Sequence, residues 1–153
     1  MLASSAHRVP NRTPPAVNER IRRSTEMNLA FFAEHPEKIR ARLRELDREW
    51  DIERVLETTA SALTLFGLVR ALRRRRIWLL VPLTVQSFFL QHVLQGWSPP
   101  VSLLRKLGFR TQWEIDRERY ALKALHGDFR RLETEDDGEG CARARAAFEA
   151  AER

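Results

Sequence analysis

The four histidines and the single cysteine are the side chains most able to bind a metal ion or act as a nucleophile. His7, His35, His92 and His126 lie in four different segments, and no two of them are four residues apart. Metal sites in proteins group such ligands at short spacings. Cys141 lies in a tail rich in Gly, Ala and charge, so neither an intrachain disulfide nor a cysteine-based cluster is expected. The sequence predicts no metal site and no cofactor.

Ionisable side chains within the apolar stretches are a second kind of candidate. An ionisable group at membrane depth is a functional candidate by default, and His92, Glu57 and Arg70 qualify. The nearness of Trp97 favours an interfacial, hydrogen-bonded role for His92, whereas Glu57 and Arg70 fit anchors at the two ends of a span better than a proton path. The chain lacks GxSxG, a Gly-rich phosphate loop and HExxH. We therefore predict that the protein is not an enzyme.

The remaining charges indicate an anionic partner. A formal charge of +6 and a pI near 10.6 suit nucleic acid or the anionic lipids of a membrane. The carboxylates between residues 45 and 53 alternate with arginines, which is typical of a solvated face. Residues 77–104 contain no Asp, Glu, Lys or Arg, and this stretch is longer than a small soluble core needs. Membrane lipid is therefore favoured over nucleic acid.

Two apolar segments, residues 55–72 and 77–94, are separated by Arg73, Arg74, Arg75 and Arg76. Each would span about 27 Å as a helix, close to a hydrocarbon core of about 30 Å. Counting only their Leu, Ile, Phe and Val residues, insertion is worth roughly −2 to −5 kcal/mol for the first and −3 to −6 kcal/mol for the second. Trp78 and Trp97 bracket the second segment, as interfacial aromatics do. The pattern predicts a two-helix transmembrane hairpin anchored by the arginines and tryptophans.

Small and polar side chains predict how these two helices pack. Small residues recur at steps of four, three and four in the first segment, and polar residues form a stripe on the second. Small residues allow two backbones to approach closely, and facing polar groups can satisfy each other away from lipid. The alternative is that both stripes arise by chance. The predicted packing residues are Ala60, Thr64, Gly67 and Ala71, with Thr84, Ser87, Gln91 and Gln95 facing them.

Amphipathic helices are predicted before the hairpin. Residues 1–17 contain three prolines and few large apolar residues, so we expect disorder there. A helix over residues 18–33 should end at His35-Pro36. Pro36 should begin the next helix, with Ile39, Leu43, Leu46 and Trp50 as its apolar stripe. That helix either packs on its own domain or lies on the membrane surface, and Asp51 either caps a new helix or lies within a continuing one.

Two further helices are predicted after the hairpin. Ser98-Pro99 is a helix start and Leu107-Gly108 a helix stop, with Val101, Leu103 and Leu104 between them. Thr111 and Glu114 fit a capping box that begins a helix to about residue 126, with an apolar side formed by Ile115, Leu122, Leu125 and Phe129. The chain then divides into a disordered segment 1–17, an amphipathic region 18–54, the hairpin 55–95, amphipathic helices 96–130, and an acidic linker with a weak helical tail, 131–153.

The hairpin and its flanks resemble the YgaP-like inner-membrane domains, small bacterial two-helix membrane domains found alone or attached to rhodanese sulfurtransferase domains. The resemblance covers roughly residues 25–128 and is carried by Asn28, residues 50–56 (WDIERVL), residues 95–99 (QGWSP) and Leu107-Gly108. It implies an inner-membrane location. Members commonly have Cys before the proline at the helix exit, where this chain has Ser98, so a thiol-dependent sulfur-handling role isn't expected, and neither is a rhodanese domain.

These observations predict an all-α, non-catalytic integral membrane protein that serves as a membrane-anchored interaction or scaffold module. Its expected partners are lipid headgroups, together with another protein or a second copy of the chain. The alternative is a soluble basic helical protein that binds nucleic acid or anionic surfaces peripherally. Nine basic residues flank the hairpin at positions 38–54 and 105–110, against five at its turn. This excess predicts cytoplasmic termini.

Overall fold

The computed structural model describes residues 7–73, 75–129, 144–145 and 147–148. No strand occurs among these residues, which confirms the all-α prediction. The α-helices are α1 Arg8–Arg12, α2 Pro15–Glu34, α3 Ile39–Leu46, α4 Ile52–Arg73, α5 Leu80–Gln95, α6 Pro99–Leu107 and α7 Gln112–His126, with 3-10 turns at Pro36–Lys38 and Arg76–Leu79. The predicted acidic linker, including Cys141, lies outside the described residues. The chain forms two compact units.

The first unit consists of residues 1–22 and 50–114. Its buried core is formed by Val9, Ile52, Leu56 and Val101, and Leu104 and Phe109 pack against it. These residues come from α1, from the beginning of α4 and from α6 with the turn after it. The core therefore joins the segments before and after the hairpin to the hairpin's first turns.

The amino-terminal part of this unit differs from the predicted disorder. Residues 8–12 form α1, and α2 begins at Pro15, three residues earlier than predicted. Val9 is buried, and Thr13 Oγ1 donates a hydrogen bond to its carbonyl oxygen at 2.8 Å. A Cβ at Gly96 would overlap with Arg8 Cβ. This tertiary packing offsets the entropy cost of ordering the segment, which the composition alone did not predict. Residues 1–6 lie outside the described residues.

The hairpin follows the predicted segments closely. Asp51 caps a new helix, because its Oδ1 accepts a hydrogen bond from the Arg54 backbone amide at 2.6 Å. Helix α4 then runs to Arg73, and the 3-10 turn leads into α5, which has Pro82 in its first turn. The two helices pack against each other where α4 carries Gly67. A Cβ at Gly67 would lie 2.6 Å from Pro82 Cδ.

The second unit consists of residues 23–49 and 115–153. Its core contains Ile39 and Leu46 of α3 with Ile115 and Leu122 of α7, and Leu29, Phe32 and Leu43 pack on it. The predicted stripe of α3 is thus confirmed from Ile39 to Leu46. Trp50 is a correction, because α3 ends at Leu46 and Trp50 is 45% exposed. Because the chain leaves the helix after Leu46, the helical spacing no longer places Trp50 on the same face as Ile39, Leu43 and Leu46.

Most predicted helix ends are confirmed. Helix α2 ends at Glu34, just before His35-Pro36, and α6 ends at Leu107, followed by Gly108 in a left-handed conformation with φ of 97°. Thr111 and Glu114 form the capping box: the Glu114 carboxylate accepts from the Thr111 amide at 2.9 Å, and the Glu114 amide donates to Thr111 Oγ1 at 3.4 Å. Ser98 occupies the N-cap position of α6 without a side-chain capping bond. Leu125, predicted on the apolar side of α7, is 44% exposed.

Candidate functional site: the apolar helical hairpin

The hairpin surface is the most unusual feature of the first unit. Helix α4 and the helical stretch 76–95 have mean hydropathies of 1.4 and 1.5, yet only 11% and 0% of their apolar windows are buried within the fold. Both are long and apolar enough to cross a membrane. Large apolar side chains at least 40% exposed lie along both helices: Leu63, Leu65, Phe66, Leu68, Val69, Leu72, Ile77, Leu79, Leu80, Leu83, Phe88, Leu90, Val93 and Leu94. Exposed apolar surfaces of this size mark sites where a membrane, a protein partner or a ligand binds.

The small-residue stripe of α4 lies on its less exposed face. Gly67 is buried, while Ala60, Thr64 and Ala71 are half-buried. The space that Gly67 leaves is filled by Pro82 and Val81 of α5. Close backbone approach of this kind is what small residues permit in helix pairs. The stripe therefore lies where the two helices meet.

The polar stripe of α5 is more scattered. Thr84 lines an apolar groove between the helices, and Gln91 is half-buried. Ser87 is exposed, and its Oγ donates to the Leu83 carbonyl oxygen of its own helix at 2.8 Å. A hydrogen bond between the two helices comes instead from Gln86, whose Nε2 donates to Thr64 Oγ1 at 2.9 Å. Sequence reasoning missed Gln86; the available signal was an amide within an otherwise apolar run.

The closed end of the hairpin is basic and aromatic. The Arg70 guanidinium lies 4.9 Å from the Trp78 ring centroid and 6.0 Å from that of Phe66, and these two rings contact each other edge to face. Arg73, Arg75 and Arg76 are exposed, whereas Arg74 lies outside the described residues. Cation–π packing holds the Arg70 charge against the end of the apolar surface. This is the arrangement expected of an interfacial anchor.

The open end of the hairpin, where α4 begins and α5 ends, contains a cleft of about 160 Å³ with both charged and apolar lining residues. Its charged lining residues are Arg8, Glu53 and Glu57, and His92 lines it as well. Arg8 Nη1 donates to the Val93 carbonyl oxygen at 2.6 Å. Sequence reasoning considered Glu57 and His92 individually, placed Glu53 on a solvated face although its Oε2 is buried, and missed Arg8. It could not bring the four together, because Arg8 lies in the segment predicted to be disordered.

Two buried atoms of the cleft residues have no hydrogen-bond partner among the described residues: Glu53 Oε2 and His92 Nδ1. The cleft adjoins an apolar groove of about 260 Å³, and the two cavities share Leu56, Phe89 and His92. The groove continues between the helices to Leu63 and Thr84. Trp97 lies just beyond α5, where its Nε1 donates to Ser102 Oγ at 3.0 Å. The open end of the hairpin therefore combines the ionisable groups of the cleft with the adjoining apolar groove.

A buried arginine organises the segments that flank the hairpin in this unit. Arg105 is 1% exposed and donates from all three nitrogens: to Glu114 (2.6 and 2.9 Å), Asn18 Oδ1 (2.7 Å), Thr13 Oγ1 (3.2 Å) and the Phe109 carbonyl (3.3 Å). Burial alone would raise the pKa of Glu114, but the hydrogen bonds from Arg105 and Thr111 outweigh it and lower that pKa below its ordinary value. Arg105 was predicted only as a flanking charge, since nothing local marks it as buried.

The second unit contains a comparable ion pair. Glu118 is 0% exposed, and its Oε1 accepts from Arg42 Nε at 2.9 Å and from Asn28 Nδ2 at 3.4 Å. Burial lowers the pKa of Arg42, but its contacts with Glu118, Glu45 and Glu49 raise it further, so the group stays charged. This pair joins α2, α3 and α7 and has the features of a structural contact.

Within the described residues, no group of three or more His, Cys, Asp or Glu side chains is placed to hold a metal ion. Comparison of the chain with protein-family models, with curated proteins and with solved structures finds no match.

Proposed function

We propose that this protein is a small integral membrane protein whose helices α4 and α5 cross the membrane as a hairpin. The proposal rests mainly on one observation: the apolar side chains along both helices are exposed, and the fold buries very few of them. Each leucine, isoleucine, phenylalanine or valine moved from water into the bilayer centre contributes about −0.3 to −0.6 kcal/mol. Polar groups between the helices are paired by the Gln86–Thr64 hydrogen bond.

The proposed location is the inner (cytoplasmic) membrane of a bacterium, with both termini cytoplasmic. The resemblance of residues 50–56 and 95–99 to the YgaP-like inner-membrane domains supports this location. The excess of basic residues on the flanks, nine against five at the turn, supports the orientation. Arg70, Trp78 and Trp97 lie at positions suited to the two interfaces.

Alkaline carbonate extraction tests membrane insertion. We expect the full chain to stay in the membrane pellet through carbonate and high salt, and to require detergent for release. Release by salt would support the alternative, a peripheral basic protein bound to nucleic acid or lipid surfaces, because contacts with phosphates weaken steeply with salt. A monodisperse monomer in buffer without detergent would contradict insertion.

Cysteine labelling tests the orientation. In a Cys141→Ser background, Arg75→Cys should react with an impermeant thiol reagent added outside intact cells. The native Cys141, in the unaltered chain, is the matched control and should react only after the membrane is permeabilised. The reversed pattern would place the termini outside.

Within this membrane, we propose a non-catalytic role as an anchored interaction or scaffold module. The second unit supports this role, since its compact helical core of Ile39, Leu46, Ile115 and Leu122 is held by structural ion pairs. Co-purification from mild detergent, followed by identification of bound proteins and measurement of the oligomeric state, tests it. Recovery of the chain as a lone monomer with turnover of a substrate would contradict it.

A further inference from the structure

The open end of the hairpin carries an inference beyond membrane insertion. The cleft there contains two carboxylates, Glu53 and Glu57, and one guanidinium, Arg8. This excess of negative charge favours a cationic group in the cleft. The guanidinium at the same time offers donors to an anionic group, because within the described part of the chain only its Nη1 is engaged, by the Val93 carbonyl oxygen. A ligand that carries both a cation and an anion fits this pattern best.

The unpaired atoms specify the kind of cation. Glu53 Oε2 and His92 Nδ1 are buried without a hydrogen-bond partner among the described residues, and buried polar groups of this kind need a donor or acceptor. Both side chains line the cleft, and their last torsions are broad, so either atom can reorient toward a group bound there. A primary ammonium offers three donors, which match Glu53, Glu57 and the His92 nitrogen. A quaternary ammonium has no N–H group and leaves these acceptors unpaired.

The adjoining groove specifies what the ammonium is attached to. It begins at Leu56, Phe89 and His92, which it shares with the cleft, and continues between the helices to Leu63 and Thr84. Seven residues of helix from Leu56 to Leu63 correspond to about 10 Å. Its apolar lining includes Val85 and Phe88. A flexible hydrocarbon chain is an occupant of the right shape, and it would be supplied by the surrounding bilayer.

We propose that the open end of the hairpin binds a phospholipid with a primary ammonium headgroup. The ammonium is held by Glu53, Glu57 and His92, the phosphate lies beside Arg8, and one acyl chain occupies the groove between α4 and α5. The proposal rests on the proposed membrane insertion. It also fits the position of the cleft, since residues at the beginning of α4 and the end of α5 would lie at headgroup depth.

Native mass spectrometry of the full chain, purified in mild detergent, tests the proposal. We would titrate phosphatidylethanolamine, phosphatidylcholine and phosphatidylglycerol with identical acyl chains. Phosphatidylethanolamine should bind at least about tenfold more tightly than phosphatidylcholine, because only its headgroup donates hydrogen bonds to the charged acceptors. Equal binding of these two lipids, or tighter binding of phosphatidylglycerol, would overturn the proposal.

Matched variants locate the site. The double variant Glu53→Gln with Glu57→Gln should lower the affinity for phosphatidylethanolamine to about the affinity for phosphatidylcholine. The control is Glu34→Gln, which alters an exposed glutamate on α2 and should leave the preference for phosphatidylethanolamine unchanged. Arg8→Gln should weaken both lipids alike, since both carry the phosphate. An unaltered preference in the double variant would overturn the assignment of the ammonium site.

A competition experiment on the unaltered chain avoids dependence on the folding of any variant. Octylamine should displace phosphatidylethanolamine only weakly, and octyltrimethylammonium should not displace it. If octylamine competes for the site as strongly as phosphatidylethanolamine does, the assignment of the ammonium to a lipid headgroup is wrong. If the chain remains in the membrane through carbonate but shows no preference among the lipids, this inference fails while membrane insertion stands.

Discussion

At the scale of single residues, Arg105 shows how a charge can be buried without a large cost. Its guanidinium donates to a carboxylate, an amide oxygen, a hydroxyl and a backbone carbonyl. An isolated buried ion would be strongly unfavourable, but this fork of donors is satisfied on every nitrogen. The partners come from α1's end, α2, the turn after α6 and α7. One side chain thus ties together the four segments around the hairpin.

We expect Arg105→Ala to lower the free energy of unfolding by about 3–5 kcal/mol, because Glu114 would keep a buried charge without its partner. Arg105→Lys should also destabilise the protein, since an ammonium has fewer donors and no planar fork. The matched control is Arg22→Ala, which removes an exposed partner of Glu19 and should cost about 1 kcal/mol or less. Denaturant titration in detergent micelles measures all three. Equal effects for the two arginines would contradict a structural role for Arg105.

The lowered pKa of Glu114 predicts a dependence of stability on pH. A carboxylate whose pKa is lower in the folded state binds its proton less readily there than in the unfolded chain, so its contribution is complete above the unfolded pKa. That contribution is lost as the pH falls from the ordinary value of 4.5 through the lower folded value. We expect the difference in unfolding free energy between the unaltered chain and Glu114→Gln to be largest above pH 4.5 and to shrink below it. A pH-independent difference would exclude this ionisation as its source.

At the scale of elements, the hairpin is held by close packing more than by polar contacts. Gly67 lets Pro82 and Val81 approach α4, and among the described hairpin residues the side-chain hydrogen bond between the helices runs from Gln86 to Thr64. In lipid, apolar side chains gain nothing from meeting each other rather than acyl chains, so close packing has to supply the association. The glycine is therefore the position at which the pair is most easily disturbed.

We expect Gly67→Ala to separate the helices and to lower stability by about 1–3 kcal/mol, the usual cost of overpacking. The added Cβ would lie 2.6 Å from Pro82 Cδ, and the rigid proline ring cannot move aside as a flexible side chain would. Ala62→Val, at an exposed position of the same helix, is the control and should change stability by about 0.5 kcal/mol or less. Thermal unfolding in micelles distinguishes them. An unchanged midpoint for Gly67→Ala would mean that the helices are not in close contact there.

At the scale of the whole molecule, apolar residues are distributed unevenly between the buried cores and the surface of the hairpin. Among the described residues, each of the two units has a small core of four buried apolar side chains, while a larger number of apolar side chains is exposed on the hairpin. A soluble monomer would not keep so large a continuous apolar surface in water. The proposed membrane hairpin accounts for that surface.

We expect Leu65→Arg to reduce the membrane-integrated fraction strongly, because an arginine near the middle of a span costs about 2.5–3.5 kcal/mol. Leu72→Arg is the matched control, since Leu72 is 88% exposed at the end of the same helix, next to the arginine turn. There the new charge can reach the interface and should be tolerated. Carbonate extraction of both variants provides the measurement. If the membrane-integrated fraction of Leu65→Arg is as large as that of the unaltered chain, Leu65 does not lie in a membrane-spanning position.

The sequence by itself determined the elements of this protein, because helix signals are local. Apolar runs, prolines, the glycine at 108 and the capping box at Thr111 depend only on neighbouring residues, and they predicted most helix boundaries within a few positions. The exposed apolar character of the hairpin was likewise readable, since hydrophobicity and length are properties of a segment.

Only the tertiary structure decided which distant residues meet. Arg8 reaches the end of α5, Arg105 is buried among Thr13, Asn18 and Glu114, and Gln86 rather than Ser87 bonds to α4. Each depends on contacts between segments far apart in the chain, for which no local pattern exists. The same reason explains the helix over residues 8–12, because the contact of Arg8 with Gly96 and the burial of Val9 in the core outweigh a composition that favours disorder.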